Sequence, residues 1–203
     1  MLKITSWNIR GLNNPLKQKE VYSFISSQKL QLMGILETKV RATNLCTTFG
    51  KCFPAHWSYS HNLGSSSVAR IVVAWDPQCL VVDVLQTSDQ MVCAKVQIVA
   101  SSKILYLSIV YGSNSFVERR RLWAEMRVFN SVCGNSPWIM VGDYNIVRAR
   151  SERLEGFDSN AVGDFNNCLD DLEMEDLPTK GFGFLGQTKG EVWGIIRVSL
   201  IGL

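Results

Sequence analysis

A chain of 203 residues with 46% apolar side chains has enough material for one hydrophobic core, and its formal net charge of +3 and pI near 8.5 exclude the strongly basic character of histone-like binders while permitting a polyanionic partner. The cysteines Cys46, Cys52, Cys79, Cys93, Cys133 and Cys168 form no C-x-x-C pair and have only His56 and His61 to join them, which argues against a structural zinc or a redox motif. The opening MLKITSWNIR alternates apolar and polar residues instead of forming the apolar core of a signal peptide, and no later run reaches membrane-span length, so a soluble intracellular protein with reduced thiols and no membrane partner is expected.

In chain order, apolar runs of strand length fall at 2 to 7, 32 to 36, 70 to 75, 80 to 85, 91 to 99, 104 to 111 and 138 to 142, most of them rich in Val, Ile and aromatic residues. Helical spacing links Leu16, Val21, Phe24 and Ile25, then Phe116, Leu122, Trp123, Met126 and Phe129, then Val162, Phe165, Cys168, Leu169 and Leu172. Each stripe predicts a helix face packed on a sheet. Loops are expected at NNP, SHNLGSSS, YGSNS and CGNSP. Successive strands with isolated helices, instead of strict alternation, predict an α+β or mixed-sheet sandwich with helices outside. No repeat, low-complexity tract or linker divides the chain, so residues 1 to 203 read as one domain with a least regular segment from Gly181 to Leu203.

Polar groups stand where predicted strands end: Asn8 in SWNIRGLN, Glu37 in LMGILETKV, and Asp143 with Asn145 in PWIMVGDYNIV. Strand ends on one edge of a sheet are where residues distant in sequence converge. A carboxylate for a hard cation, a second carboxylate, and neutral amides that donate to phosphate without repelling it suit phosphoester hydrolysis.

The ordered set SWNIRGLN, LETKV, IVVAWDP, VYGSNS with ERRRLW, WIMVGDYN and SERLEG resembles the endonuclease domain of plant LINE-like retrotransposons, itself similar to apurinic endonucleases and DNase I, within the endonuclease/exonuclease/phosphatase superfamily. The resemblance spans roughly residues 2 to 180. It implies a four-layer α/β sandwich, two packed mixed β-sheets flanked by helices, and Mg2+- or Mn2+-dependent hydrolysis of DNA phosphodiesters, with a nuclear location for a retroelement product. It also implies roles. Glu37 would hold the metal, with Asn8 orienting metal or phosphate; Tyr111 would lie on the phosphate side. Asp143 would orient or deprotonate the attacking water, and Asn145 would support the phosphorane.

The pattern breaks near its end. Members of the family carry an L-D-R strand and a terminal S-D-H whose Asp-His pair contacts the phosphate; here LPTKGFGF is followed by LGQT, IIRVSL stands at the L-D-R position, so that either Arg197 replaces a carboxylate or the carboxylate has been deleted, and neither histidine matches. The expectation is a DNase I-like domain missing its last strands, with a divergent tail over 181 to 203 and impaired activity. Two alternatives stay open: a catalytically inactive retroelement remnant, and a phosphatase of the same superfamily.

Each residue also has an ordinary reading. Glu37 fits an exposed strand end, Asp143 with Asn145 a G-D-Y-N turn, Asn8 a loop cap and Tyr111 a half-buried strand position. Arg119, Arg120 and Arg121 read as solvated helix arginines, Trp75, Trp123 and Trp138 as core, and His56 and His61 as loop residues without a role.

Overall fold

The computed structural model describes residues 2–64, 67–146 and 158–176, together with the backbone of 193–197. In chain order the elements are β1 (Ile4–Asn8), α1 (Pro15–Gln28), β2 (Leu32–Arg41), α2 (Leu45–Cys52), β3 (Ser58–His61), β4 (Val68–Trp75), β5 (Leu80–Thr87), β6 (Met91–Ile98), β7 (Ile104–Tyr111), α3 (Phe116–Cys133), β8 (Trp138–Asp143), α4 (Ser159–Asp171), β9 (Glu175–Asp176) and β10 (Trp193–Arg197).

The strands form two mixed sheets, one ordered β1-β2-β4-β3 and one ordered β5-β6-β7-β8-β10-β9. Parallel pairing occurs at β1 with β2 and at β7 with β8. Every other pairing is antiparallel.

Three apolar clusters define four layers. Leu32, Leu36, Ile71 and Val73 of one sheet meet Val92, Val96, Leu107 and Ile109 of the other, which makes the inter-sheet core. Val21 and Ile25 of α1 and Phe49 of α2 cover the outer face of the first sheet with Met33, Ile35 and Val72. Leu122, Trp123, Met126 and Phe129 of α3, with Phe165 and Leu169 of α4, cover the second sheet over Met91, Met140 and Trp138. A strand between two covered faces is apolar throughout, which is why Leu32–Leu36 reads as a continuous run. This is the α+β, four-layer sandwich expected from the sequence.

Helix starts follow ordinary capping chemistry. The Asn14 side chain accepts from the Leu16 N–H at 2.9 Å with Pro15 at the first helical position, and Asp158 accepts from the N–H groups of Asn160 and Ala161 at 3.0 and 3.2 Å. Leu16 departs from expectation. It lies in that first turn and is 70% exposed, while Gln18 takes the buried position and donates to the Leu12 carbonyl at 2.9 Å.

The expected loop SHNLGSSS is partly strand, since Ser60 and His61 pair with Val73 and Val72 of β4. Trp123 and Trp138 are core, and Trp75 packs partly buried against the inter-sheet cluster. SERLEG and most of the 181–203 tail lie outside the described residues. Among the described residues no helix is long and apolar enough to cross a membrane.

Candidate active site

The two parallel pairings bring three strand ends, those of β1, β7 and β8, and the middle of β2 to one edge of the sandwich, so Glu37 lies within a strand and not at the strand end expected from the sequence. Asn8, the last residue of β1, is in register with Leu36, the residue before Glu37, and Tyr111 is in register with Asp143. The two sheets are tied there by one side-chain bond, in which the Asn8 amide nitrogen Nδ2 donates to Asp143 Oδ2 at 2.8 Å across 135 residues of sequence.

Glu37 owes its position to a bulge. The register of β2 against β4 shifts between Leu36 and Val40, and both Glu37 and Lys39 have φ of +54°. Non-glycine residues in that region are uncommon and cost of order 1–3 kcal/mol each unless the surroundings enforce them. Here the chain after β1 enforces them: Gly11 N–H donates to Glu37 O at 2.7 Å and Leu12 N–H to Thr38 O at 2.8 Å. The buried Thr38 hydroxyl donates to Ala69 O at 2.6 Å. Glu37 and Lys39 share a face, and Lys39 Nζ lies 2.7 Å from Glu37 Oε1.

Two glycines let the β7 and β8 ends approach. A Cβ on Gly112 would stand 2.5 Å from Tyr144 O, and a Cβ on Gly142, whose φ is +153°, would overlap the Val110 carbonyl oxygen. Gly112 N–H donates to Asp143 O at 2.8 Å, and Asn145 Nδ2 donates to Gly112 O at 2.6 Å. Asn145 N–H donates to Asp143 Oδ1 at 2.9 Å. Both carboxylate oxygens of Asp143 are therefore held, each by one donor. Tyr144 turns the other way, fully buried against Trp123 and Phe165, which anchors the G-D-Y-N segment.

The Tyr111 phenol lies beside the carboxylates: its pKa is pushed up by burial first, then by Glu37 and Asp143, with Arg70 acting in the opposite sense. It is a neutral hydrogen-bonding phenol at physiological pH. All five residues singled out in the sequence, Asn8, Glu37, Tyr111, Asp143 and Asn145, thus lie at one edge, where Asn8, Asp143 and Asn145 are joined by hydrogen bonds.

Lys39 and Arg70 were not anticipated. Lys39 stands two residues after Glu37 in LETKV, a spacing that puts both on one side of a strand. Arg70 faces the bulge because its neighbours Ala69 and Ile71 pair with Val40 and Leu36. The histidines pair elsewhere, His56 3.6 Å from Asp76 and His61 accepting from Leu63 N–H at 3.3 Å.

Among the described residues no group of three or more His, Cys, Asp or Glu side chains gathers as a metal cage. Glu37, Asp143 and the Asn8 amide oxygen form a hard, all-oxygen set with few carboxylates. That composition fits Mg2+ or Mn2+, which keep several waters, and does not fit a zinc site built on nitrogen and sulfur.

No protein-family model matches the sequence, and no curated protein matches it. Solved structures do. The endonuclease domain of TRAS1, a telomere-specific non-LTR retrotransposon, superposes with a TM-score of 0.72 at 11% identity over 98% of each chain. AP endonuclease LMAP from Leishmania major gives 0.67 at 13% identity over 98% of this chain and 80% of that one. A mannosyl-6-phosphatase from Bacteroides thetaiotaomicron gives 0.61 at 11% identity, covering 97% and 85%. With its two packed mixed sheets and outer helices, the chain has the DNase I-like fold of the endonuclease/exonuclease/phosphatase proteins.

Proposed function

We propose that this chain hydrolyses phosphodiester bonds of DNA with the help of Mg2+ or Mn2+, as a retroelement-type endonuclease domain. The observation that carries the reading is the bond from Asn8 Nδ2 to Asp143 Oδ2, because it joins the amide and the carboxylate expected to act together. The retrotransposon endonuclease domain among the structural neighbours supports the same reading.

Glu37 and the Asn8 oxygen would hold the divalent ion, which when bound supplies positive charge against a phosphate oxygen. Asp143 accepts a proton from the attacking water on a lone pair left free by its two donors, Asn8 and Asn145 N–H. These donors hold the carboxylate in one orientation, so it pays no ordering cost at the moment of reaction. Asn145 Nδ2 uses one N–H on Gly112 O and keeps the second for an equatorial phosphate oxygen. Neutral Tyr111 adds an O–H donor without a negative charge that would repel the substrate.

A phosphatase uses the same fold in the Bacteroides neighbour, so reaction class is decided by substrate. The test is conversion of supercoiled plasmid to nicked circles in Mg2+, with Glu37→Gln and Asp143→Asn as controls. Nicking that both substitutions abolish is expected. Folded protein that leaves plasmid intact yet releases phosphate from small monoesters would replace the nuclease reading with a phosphatase, and folded protein inert to both would mark a non-catalytic domain.

A further inference from the structure

We propose that Lys17 is a positioning residue for the candidate metal site: its ammonium latches the loop after β1 onto the bulge in β2 and so fixes the backbone that presents Glu37. The role rests on the reading of Glu37 as the residue that holds the divalent ion, and deepens it by naming what sets the geometry of that carboxylate from outside the site.

Between Leu36 and Val40 the chain of β2 leaves its register with β4, and β1 ends at Asn8, so the carbonyls of this stretch take donors from elsewhere. The loop after β1 supplies them one by one. Ile9 N–H donates to Leu36 O at 3.1 Å, Gly11 N–H to Glu37 O at 2.7 Å, Leu12 N–H to Thr38 O at 2.8 Å, and Asn13 Nδ2 to Lys39 O at 2.9 Å. Glu37 and Lys39, both at φ of +54°, therefore keep their conformation only while the loop, with Arg10 at +51° and Gly11 at +100°, keeps its own.

The loop is held from behind by α1. Lys17 Nζ donates to Ile9 O at 2.6 Å and to Arg10 O at 3.2 Å, and the next residue, Gln18, donates from Nε2 to Leu12 O at 2.9 Å. A charged donor makes a stronger bond to a carbonyl than a neutral one, and Lys17 places two such bonds on the residues between Asn8 and Gly11. Arg10 N–H donates to Asn8 Oδ1 at 3.2 Å, so the latch reaches Asn8 as well as Glu37. The place of the charge shows that it serves the loop and not the helix. Lys17 lies in the first turn of α1, where the helix dipole disfavours a cation, and that turn, Pro15-Leu16-Lys17-Gln18, contains no acidic residue to offset it.

The other half of the site repeats the device. Arg119, in the first turn of α3, donates to Ser113 O and Asn114 O at 2.7 and 3.0 Å in the loop after β7; it is buried, which corrects its reading as a solvated arginine. That loop begins at Gly112, whose carbonyl accepts from Asn145 Nδ2 at 2.6 Å. Each of the two loops is thus held by a cation from the helix that follows it.

The test follows backbone amide exchange at Gly11 and Leu12 by NMR, in EDTA, and Mn2+ binding by titration calorimetry, in the wild type and in Lys17→Met, Lys17→Gln and Lys17→Arg. Lys19→Met, at an exposed position of the same helix, controls for the lost charge and should change neither readout. Loss of the latch should speed exchange at Gly11 and Leu12 by about tenfold or more and weaken Mn2+ binding by about tenfold, and Lys17→Arg, which keeps a charged donor, should restore both. The sign is diagnostic. Removing a positive charge near a cation site would by charge alone tighten Mn2+ binding, so tighter binding in the folded Met and Gln variants, or unchanged exchange at Gly11 and Leu12, would overturn the latch. Wild type that binds no Mn2+ removes the metal reading alone, and the exchange rates then decide the latch by themselves.

Discussion

Replacing Gly142 by alanine tests the close approach of β7 and β8 that sets Asp143 beside Tyr111. The new Cβ would overlap Val110 O and stand 2.8 Å from both Val110 C and Val110 N, all backbone atoms of the register partner. Backbone in a paired strand cannot swing aside as a side chain can. The φ of +153° adds strain of about 1–3 kcal/mol for a non-glycine residue, and the overlap adds about 1–3 kcal/mol more. A loss of about 3 kcal/mol or more is expected, which for a domain of this size lowers Tm by roughly 6–12 °C. The reference is Gly163→Ala within α4, where a Cβ meets nothing within 4 Å and the helix should gain about 0.5–1 kcal/mol. Both variants are unfolded by heat and by urea under circular dichroism. If Gly142→Ala loses no more stability than Gly163→Ala, the close pairing is wrong, and with it the placement of Asp143.

Lys39→Met should tighten Mn2+ binding by about fivefold, because an exposed ion pair worth up to about 1 kcal/mol no longer competes for Glu37; titration calorimetry on both proteins decides, and equal or weaker binding refutes the competition. Asn62→Ala removes four hydrogen bonds at a buried position and should cost about 2–4 kcal/mol in urea denaturation; a cost below about 1 kcal/mol would show that Asn62 does not tie β4 to the turn at Ser88. Under native conditions a maleimide should label exposed Cys46 first, whereas buried Cys52, Cys93, Cys133 and Cys168 should react only on unfolding; mass spectrometry of the digested protein reads the order. Burial pushes the thiols of Cys52 and Cys93 from 9.0 up to about 12, so the folded state keeps their protons longer than the unfolded chain. Their contribution is complete below pH 9 and is lost as pH rises toward 12, so denaturant midpoints should fall over that window and fall less in a Cys52→Ala variant of otherwise intact fold.

The layers were legible because burial on two faces leaves a simple trace. Runs such as Leu32–Leu36 and Ile104–Tyr111 are apolar enough to be strands wherever they pair, and most of the α3 and α4 stripes is buried, Phe116 being only half-buried while Arg119, Cys133 and Ala161 join the buried faces unannounced. Besides β9 and β10, two elements escaped for physical reasons. The strand β3, SYSH, has no apolar alternation and exists because β4 offers an edge to pair with. The eight residues of α2, LCTTFGKC, do space Leu45, Phe49 and Cys52 at helical intervals, but two threonines and a glycine obscure so short a stripe. Exposed Leu16 shows the converse error, an apolar residue that fits the period yet lies in a first turn that the sheet does not reach.

At the site, the residues that were legible end apolar runs, and those that were not depend on register. Asn8, Tyr111 and Asp143 close β1, β7 and β8, so a reader of the chain meets them as polar stops. Lys39 and Arg70 acquire meaning only through the bulge between Leu36 and Val40, and no glycine or asparagine announces it. The backbone supplies the missing sign. Among the described residues seven non-glycine positions have positive φ; Lys29 caps α1, Ser102 turns between β6 and β7, and Glu173 follows α4, all ordinary places for it. The other four, Arg10, Glu37, Lys39 and Asn145, come from three separate segments and meet at one edge, where Arg10 N–H donates to Asn8 Oδ1 and Asn145 N–H to Asp143 Oδ1. Strain at one such residue is ordinary. Convergence of four around two carboxylates means that tertiary structure, not local preference, holds these groups in place, which is how a site for positioned chemistry differs from a chance gathering of polar strand ends.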